Sequence, residues 1–233
     1  MSEAPPGRAV IAETRTETPH LHLLRLGLDG SQEALFHAYR HPGQYVRVET
    51  ADESAGIFAL ANPPGDAGFE LLLKRGGKLA DKLAELPVGD PLVVSAPQGP
   101  GFPLGEARGR DLYLCAVGSG IAPIRAVIGA VLADRAAFGQ VRLYEGQRTA
   151  ADFAFARERP AWRAADIALI EVASQPIGDW PGAVGYVQAA LRAERRDASN
   201  AVAFLCGMKA MVEGVREALS ELGLPRERTY LNY

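Results

Sequence analysis

The apolar residues of this chain recur in two different rhythms. Up to position 103 they come in short bursts rich in Val, Leu and aromatics, at residues 8–13, 21–26, 44–49, 57–61, 69–74 and 91–95. Turn-forming residues separate the bursts: Pro42-Gly43, Asn62-Pro63-Pro64-Gly65-Asp66, Val88-Gly89-Asp90 and the stretch 97–103. Short strands at that spacing predict a closed antiparallel barrel. Leu79, Leu83 and Leu86, four and three residues apart, predict one short amphipathic helix among them, over 78–86.

After Arg110 the rhythm changes. A continuous apolar run at 111–117 leads through a glycine turn into a helical pattern over 121–134. Strand-like runs follow at 141–144, 167–172 and 201–206, helical patterns at 184–194 and 208–222, and a last short strand at 228–231. Strands alternating with helices predict βαβ crossovers and a parallel sheet covered on both faces. Residues 99–110 carry no period and mark the boundary. The predicted fold is therefore all-β plus α/β: an antiparallel β-barrel over 1–104 and a parallel, doubly wound nucleotide-binding domain over 105–233.

Composition narrows the function classes. A chain of 233 residues is comfortable for two domains of ordinary size, and 48% hydrophobic with 23% charged residues is a globular balance. The net charge of −3 leaves no electrostatic footprint for nucleic acid. No apolar stretch approaches the ~18 residues needed to cross a bilayer, and Met1 to Arg8 is polar and Pro-rich, so a cytoplasmic address is expected. Two cysteines, Cys115 and Cys206, cannot supply the four ligands of an iron–sulfur cluster and read as packed thiols in buried strands. His20, His22, His37 and His41 all fall among the first barrel strands. His20 and His22 would share one strand face, but no carboxylate or cysteine joins them at ligand spacing. They read as surface histidines, and no metal is expected.

The sharpest local motif is Val117-Gly118-Ser119-Gly120-Ile121-Ala122-Pro123. A strand ends, two glycines allow a tight turn, and a helix starts with Pro123 in its first turn, where the missing N–H costs nothing. Such a helix start suits a pyrophosphate, although a plain βα loop can look the same. Gly146-Gln147-Arg148, Ser174-Gln175-Pro176 and Cys206-Gly207-Met208 also put small or polar residues just past strand ends. That carboxyl edge is where open α/β sheets bind ligands.

Taken in order, Pro42-Gly43-Gln44-Tyr45, Phe58-Ala59-Leu60-Ala61-Asn62-Pro63-Pro64, the Gly118 turn, Gly146-Gln147-Arg148, Trp180 to Val187 and Cys206-Gly207 resemble the ferredoxin–NADP reductase superfamily over nearly the whole chain. The resemblance implies FAD on the barrel and NADH or NADPH on the α/β domain. The nicotinamide passes a hydride to the flavin while the protein supplies placement. It implies pyrophosphate contacts at Gly118, Ser119, Gly120, Ile121 and Pro123, and nicotinamide contacts at Cys206, Gly207 and Met208. Arg148 and Ser174 would sit around the adenosine ribose, with a solvated surface charge as the other reading of Arg148. Gln175 after Ser174 tilts the choice slightly towards NADH.

The barrel departs from the superfamily's Arg-x-Tyr-Ser/Thr flavin motif, which aligns here with Gly56-Ile57-Phe58-Ala59. Phe58 keeps a stacking ring, and Phe58, Ala59, Leu60 and Ala61 remain the expected flavin contacts. Gly56 cannot pair with a phosphate, and Ala59 cannot donate a hydrogen bond. Lys74, Gly76, Gly77, Lys78, Leu79 and Ala80, in a Gly-rich basic turn opening a helix, correspond to the second phosphate-binding segment; a solvated basic loop is the alternative. Tyr233 fits the aromatic that such reductases place over the flavin, or is an exposed terminus. Cys206 and Tyr233 are thus the candidates at the reaction centre. The expected function is an NAD(P)H-dependent flavin oxidoreductase serving an unidentified acceptor, protein or small molecule. The alternative is a flavin-free nucleotide-binding regulatory or scaffold protein.

Overall fold

A computed structural model of the chain describes residues 6–28, 33–50 and 52–232. The first half contains β1 (Gly7–Thr18), β2 (Leu21–Leu28), α1 (Glu33–Ala38), β3 (Tyr45–Thr50), β4 (Glu53–Ala59), β5 (Phe69–Lys74), α2 (Lys78–Glu85) and β6 (Pro91–Val94). The strands pair antiparallel in the order β4-β3-β6-β1-β2-β5, and a bridge between Leu60 and Leu71 joins the two ends of that order. Alternation explains the pairing. In β1, Ala9 and Ile11 are buried while Val10 between them is exposed. Ile11, Leu24, Leu26, Val46, Val48 and Phe69 pack inside with Leu83 of α2.

The second half contains β7 (Asp111–Val117), α3 (Ile121–Ala133), β8 (Val141–Gln147), α4 (Arg159–Ala164), β9 (Ile167–Ala173), β10 (Ala183–Val184), α5 (Val187–Glu194), β11 (Ala201–Cys206), α6 (Lys209–Glu221) and β12 (Thr229–Leu231). All its strands are parallel, in the order β10-β9-β8-β7-β11-β12. Burial on both faces is why these strands read as continuous apolar runs. Ile124, Val127 and Ile128 of α3 cover one face, against Leu114, Leu143 and Phe204. Leu191 of α5 and Val215 and Leu219 of α6 cover the other, against Tyr113, Tyr144 and Leu205. The α3-side core runs on into Leu21, Leu23 and Leu72 of the barrel strands, so the two sheets share apolar contact.

The combination of antiparallel barrel and parallel sheet is the one the two rhythms predict, with several local corrections. The helix expected over 184–194 starts only at Val187, because Val184 pairs with Ala173 as a strand. Neither α1 nor α4 is foreseen; each is six residues long, too short to show a period. The histidines are not all on strands. His37 lies in α1, and His20 lies in the turn before β2, which takes it off the face it was expected to share with His22. Nor is His22 on the surface: it is buried, hydrogen-bonded with the Thr14 hydroxyl. Cys115 is fully buried, but Cys206, at the last position of β11, is only partly so. No helix among the described residues is long and apolar enough to cross a membrane.

Candidate functional site

In the parallel sheet the chain steps outward from β7 through β8 to β10, then returns to place β11 on the other side of β7. The crevice beyond the carboxyl ends of β7 and β11 is therefore a topological switch point, the usual ligand position in such sheets. Gly118, with φ +57, turns the chain out of β7, and one 3₁₀ turn, Gly118–Gly120, leads into α3. A Cβ on Gly120 would collide with the Cys206 carbonyl, 2.8 Å from its carbon. One on Gly207 would sit 2.5 Å from Val117 Cγ2, and one on Gly146 2.9 Å from Val187 Cγ2. These glycines let the strand ends and helix starts close around a single opening. No side chain caps the start of α3, its Ile121 N–H donates back to the Gly118 and Ser119 carbonyls, and Pro123 has no N–H, so the capacity to hold an anion at this end rests with the glycine turn before the helix.

The opening is a cleft of about 1010 Å³. Gly118, Ser119 and Gly120 form one wall, Cys206, Gly207 and Met208 another, and Arg148 and Ser174 a third. Lys74 enters from the barrel. Ile121 and Pro123 do not line the cleft; they are buried behind the turn, in the first turn of α3. Burial pushes the Cys206 thiol up to about 11, so it is uncharged at neutral pH. Arg148 is exposed, and its Nε donates to Gln175 Oε1 at 2.8 Å.

Sequence reasoning missed Thr18 and His20, which the β1–β2 turn carries to the cleft, and also Asp152, Tyr186 and Gln188. Of these, Tyr186 falls inside the Trp180-to-Val187 block of the resemblance, and Asp152 left a local trace of its own. Its carboxylate accepts from the Thr149 N–H and hydroxyl at 2.9 and 2.8 Å, a capping box visible as Thr-x-x-Asp.

Comparison with known proteins agrees with this geometry. Residues 114–217 match the oxidoreductase NAD-binding domain. Terephthalate 1,2-dioxygenase reductase component 2 of a Comamonas species is 31% identical over 212 residues, covering 88% of this chain and 61% of that protein. The chain belongs to the ferredoxin–NADP reductase superfamily. Sulfhydrogenase 1 subunit gamma of Pyrococcus furiosus is 29% identical over 196 residues, 82% of this chain and 66% of that protein. The chain thus spans less than two thirds of these relatives. A Neisseria gonorrhoeae ferredoxin NADP+ reductase with bound FAD and NADP shares the fold at TM-score 0.81 and 18% identity, covering 99% of this chain and all of that one.

The residues expected to contact the flavin lie on the barrel and, apart from Lys74, away from the cleft lining. Leu60 is buried in the barrel core, and Ala61 is buried at the junction with the parallel sheet. Phe58 and Ala59 are partly exposed at the end of β4. On that strand a Cβ at Gly56 would lie 2.5 Å from Leu79 Cδ2 and 3.1 Å from Phe58 Cε2. Leu79 and Phe58 thus fold over the place where the superfamily motif has arginine. The basic turn is internally paired: Lys78 with Glu53 at 2.9 Å, Arg75 with Asp81 at 3.1 Å, and the Gly76 N–H donating to Asp81 at 3.0 Å. Glu53 is largely shielded, but Lys78, Arg75 and Asp81 all reach solvent, so these pairs cost little to open. The start of α2 has Gly77 before it and no capping side chain, and nothing lies within 4 Å of a Cβ at Gly76. A backbone cradle for a diphosphate therefore fits at residues 76–80, without the arginine contact. Tyr233 lies outside the described residues.

Proposed function

We propose that the protein oxidises NADH or NADPH and passes the electrons through FAD to a separate acceptor. The observation that carries this reading is the cleft at the sheet's switch point, where the glycine turn, the Cys206 edge and Lys74 of the barrel converge. The Gly118–Gly120 turn that leads into α3 would hold the pyrophosphate, with Arg148 and Ser174 on the adenosine side. Gly207 leaves room for a planar ring beside Cys206, whose neutral thiol adds no charge there. Met208 and Val117 make that wall apolar. On the barrel, the first turn of α2 with Lys78 and Lys74 would hold the flavin diphosphate, and Phe58 offers a ring for stacking. FAD, once bound, supplies a two-electron centre that can release electrons singly.

Reductase-component relatives favour a protein acceptor, and they give the flavin-free scaffold reading no support. Two free cysteines suit a reducing compartment, and we place the protein in the cytoplasm. The test is a titration of the protein with FAD, followed by flavin fluorescence and then by bleaching with NADH. Binding in the nanomolar-to-micromolar range and bleaching are expected. No binding at ~100 μM FAD overturns the reading.

A further inference from the structure

Gln147, the last residue of β8, lines the cleft yet is buried to 9% exposure. Its side-chain amide donates twice, to Glu145 Oε1 at 2.8 Å and to the Gly118 carbonyl at 3.3 Å. Glu145, two residues earlier on the same face of the strand, is 0% exposed, and its other oxygen accepts from Arg159 Nη2 at 2.5 Å. Arg159 is itself immobilised. It donates to the Ala154 carbonyl and to Glu171 Oε1 at 2.7 Å, with its guanidinium 5.3 Å from the Phe153 ring and 5.7 Å from that of Trp162.

A buried ion pair adds little net stability over an apolar one of equal volume, so its worth here lies in what it holds in place. Both N–H bonds of the Gln147 amide are used, one on the pair and one on the turn. Gly118 has φ +57 and nothing within 4 Å of a Cβ, so no side chain packs against it; its carbonyl is held by the Ile121 N–H of the 3₁₀ turn and, from the side, by the Gln147 amide. The peptide after it is planar and trans, so anchoring the Gly118 carbonyl also fixes where the Ser119 N–H points.

We infer that Gln147 is a positioning residue: braced by Glu145 and Arg159, it holds the Gly118 carbonyl and so pre-orders the N–H groups that receive the dinucleotide pyrophosphate. This rests on the nicotinamide-nucleotide function proposed above. Pre-ordering spares the ligand the cost of organising the turn, so its loss appears in affinity for the pyrophosphate.

The experiment compares the full-length protein with Gln147→Met, which keeps the volume and removes both donors. Dissociation constants are measured for NADH and for reduced nicotinamide mononucleotide, which lacks the pyrophosphate, alongside melting temperature and kcat at saturating NADH. The NADH constant is expected to rise about tenfold, with the mononucleotide constant and kcat within about twofold of wild type. Glu145→Gln, which keeps an acceptor for Gln147, is expected to lower the melting temperature and raise the NADH constant by less than Gln147→Met does. An unchanged NADH constant in Gln147→Met overturns the inference whatever the melting temperature. So does an equal loss for both ligands, which would mean general damage to the cleft. Gln147→Ser is read the same way if the methionine variant does not fold. A wild-type protein that binds neither NADH nor NADPH defeats the proposed function itself, an outcome distinct from a variant that matches a binding-competent wild type.

Discussion

Arg125, on the helix that leaves the glycine turn, donates to the backbone carbonyl of Ala61 on the barrel side at 2.9 Å. The same guanidinium grips both carboxylate oxygens of Glu158 at 2.8 Å, pairs with Glu70, and lies 4.7 Å from the centre of the Phe155 ring. One side chain thus joins the nucleotide-side helix to the barrel, and with it the two halves of the cleft. Arg125→Met keeps the apolar stem but strands Glu70 and Glu158, both partly buried. It is expected to cost about 3 kcal/mol, read as a fall in the urea midpoint. An unshifted midpoint would show that the halves are held by apolar contact alone.

The two glycines of the turn do different jobs. Gly118→Ala meets no atom, but it places a side chain at φ +57, costing about 1–2 kcal/mol and weakening NADH binding severalfold. Gly120→Ala drives a Cβ into the Cys206 backbone and is expected to cost about 1–3 kcal/mol more. Denaturant unfolding of both variants gives the ordering. Equal losses would mean that the turn relaxes freely away from β11.

At Gly56, restoring the superfamily's arginine requires moving Leu79, whose Cδ2 occupies the path. That atom ends a flexible side chain and can swing aside. Gly56→Arg combined with Leu79→Ala is therefore expected to tighten FAD by about thirtyfold, one charge-assisted hydrogen bond of roughly 2 kcal/mol. Fluorescence titration of single and double variants measures it. A double variant no tighter than wild type would place the flavin diphosphate elsewhere.

The Cys206 thiol, pushed up to about 11 by burial, starts from an ordinary value of 9.0. Between those values the unfolded chain has released the proton that the folded protein still binds. Stability is therefore fully present below pH 9 and is lost as pH rises towards 11. Cys206→Ser is expected to flatten part of this alkaline loss in melting curves taken across that range. Iodoacetamide should label Cys206 slowly at neutral pH and faster in alkali, with NADH protecting it. Rapid labelling at neutral pH would show a thiol far more ionised than its burial allows.

Much of this molecule is written locally. The change near Arg110, from short turn-separated apolar bursts to apolar runs alternating with helical patterns, announces the two kinds of sheet. The Gly118-Ser119-Gly120 turn announces a tight strand-to-helix turn at the end of β7, because each depends on residues near one another in the chain. Periodicity tells which face of an element is buried, not what it is buried against. Tertiary structure alone set β11 beside β7 and so brought the Cys206 carbonyl against Gly120. It alone carried Thr18 and His20 from the first hairpin into the cleft, and laid Leu79 of α2 over Gly56 of β4. The Gln147 amide could be linked to Gly118 only once β7 and β8 were paired in register, Val117 opposite Gly146. Those contacts join positions far apart in sequence, and their distances are fixed by strand order and helix packing, which no local pattern of residues encodes.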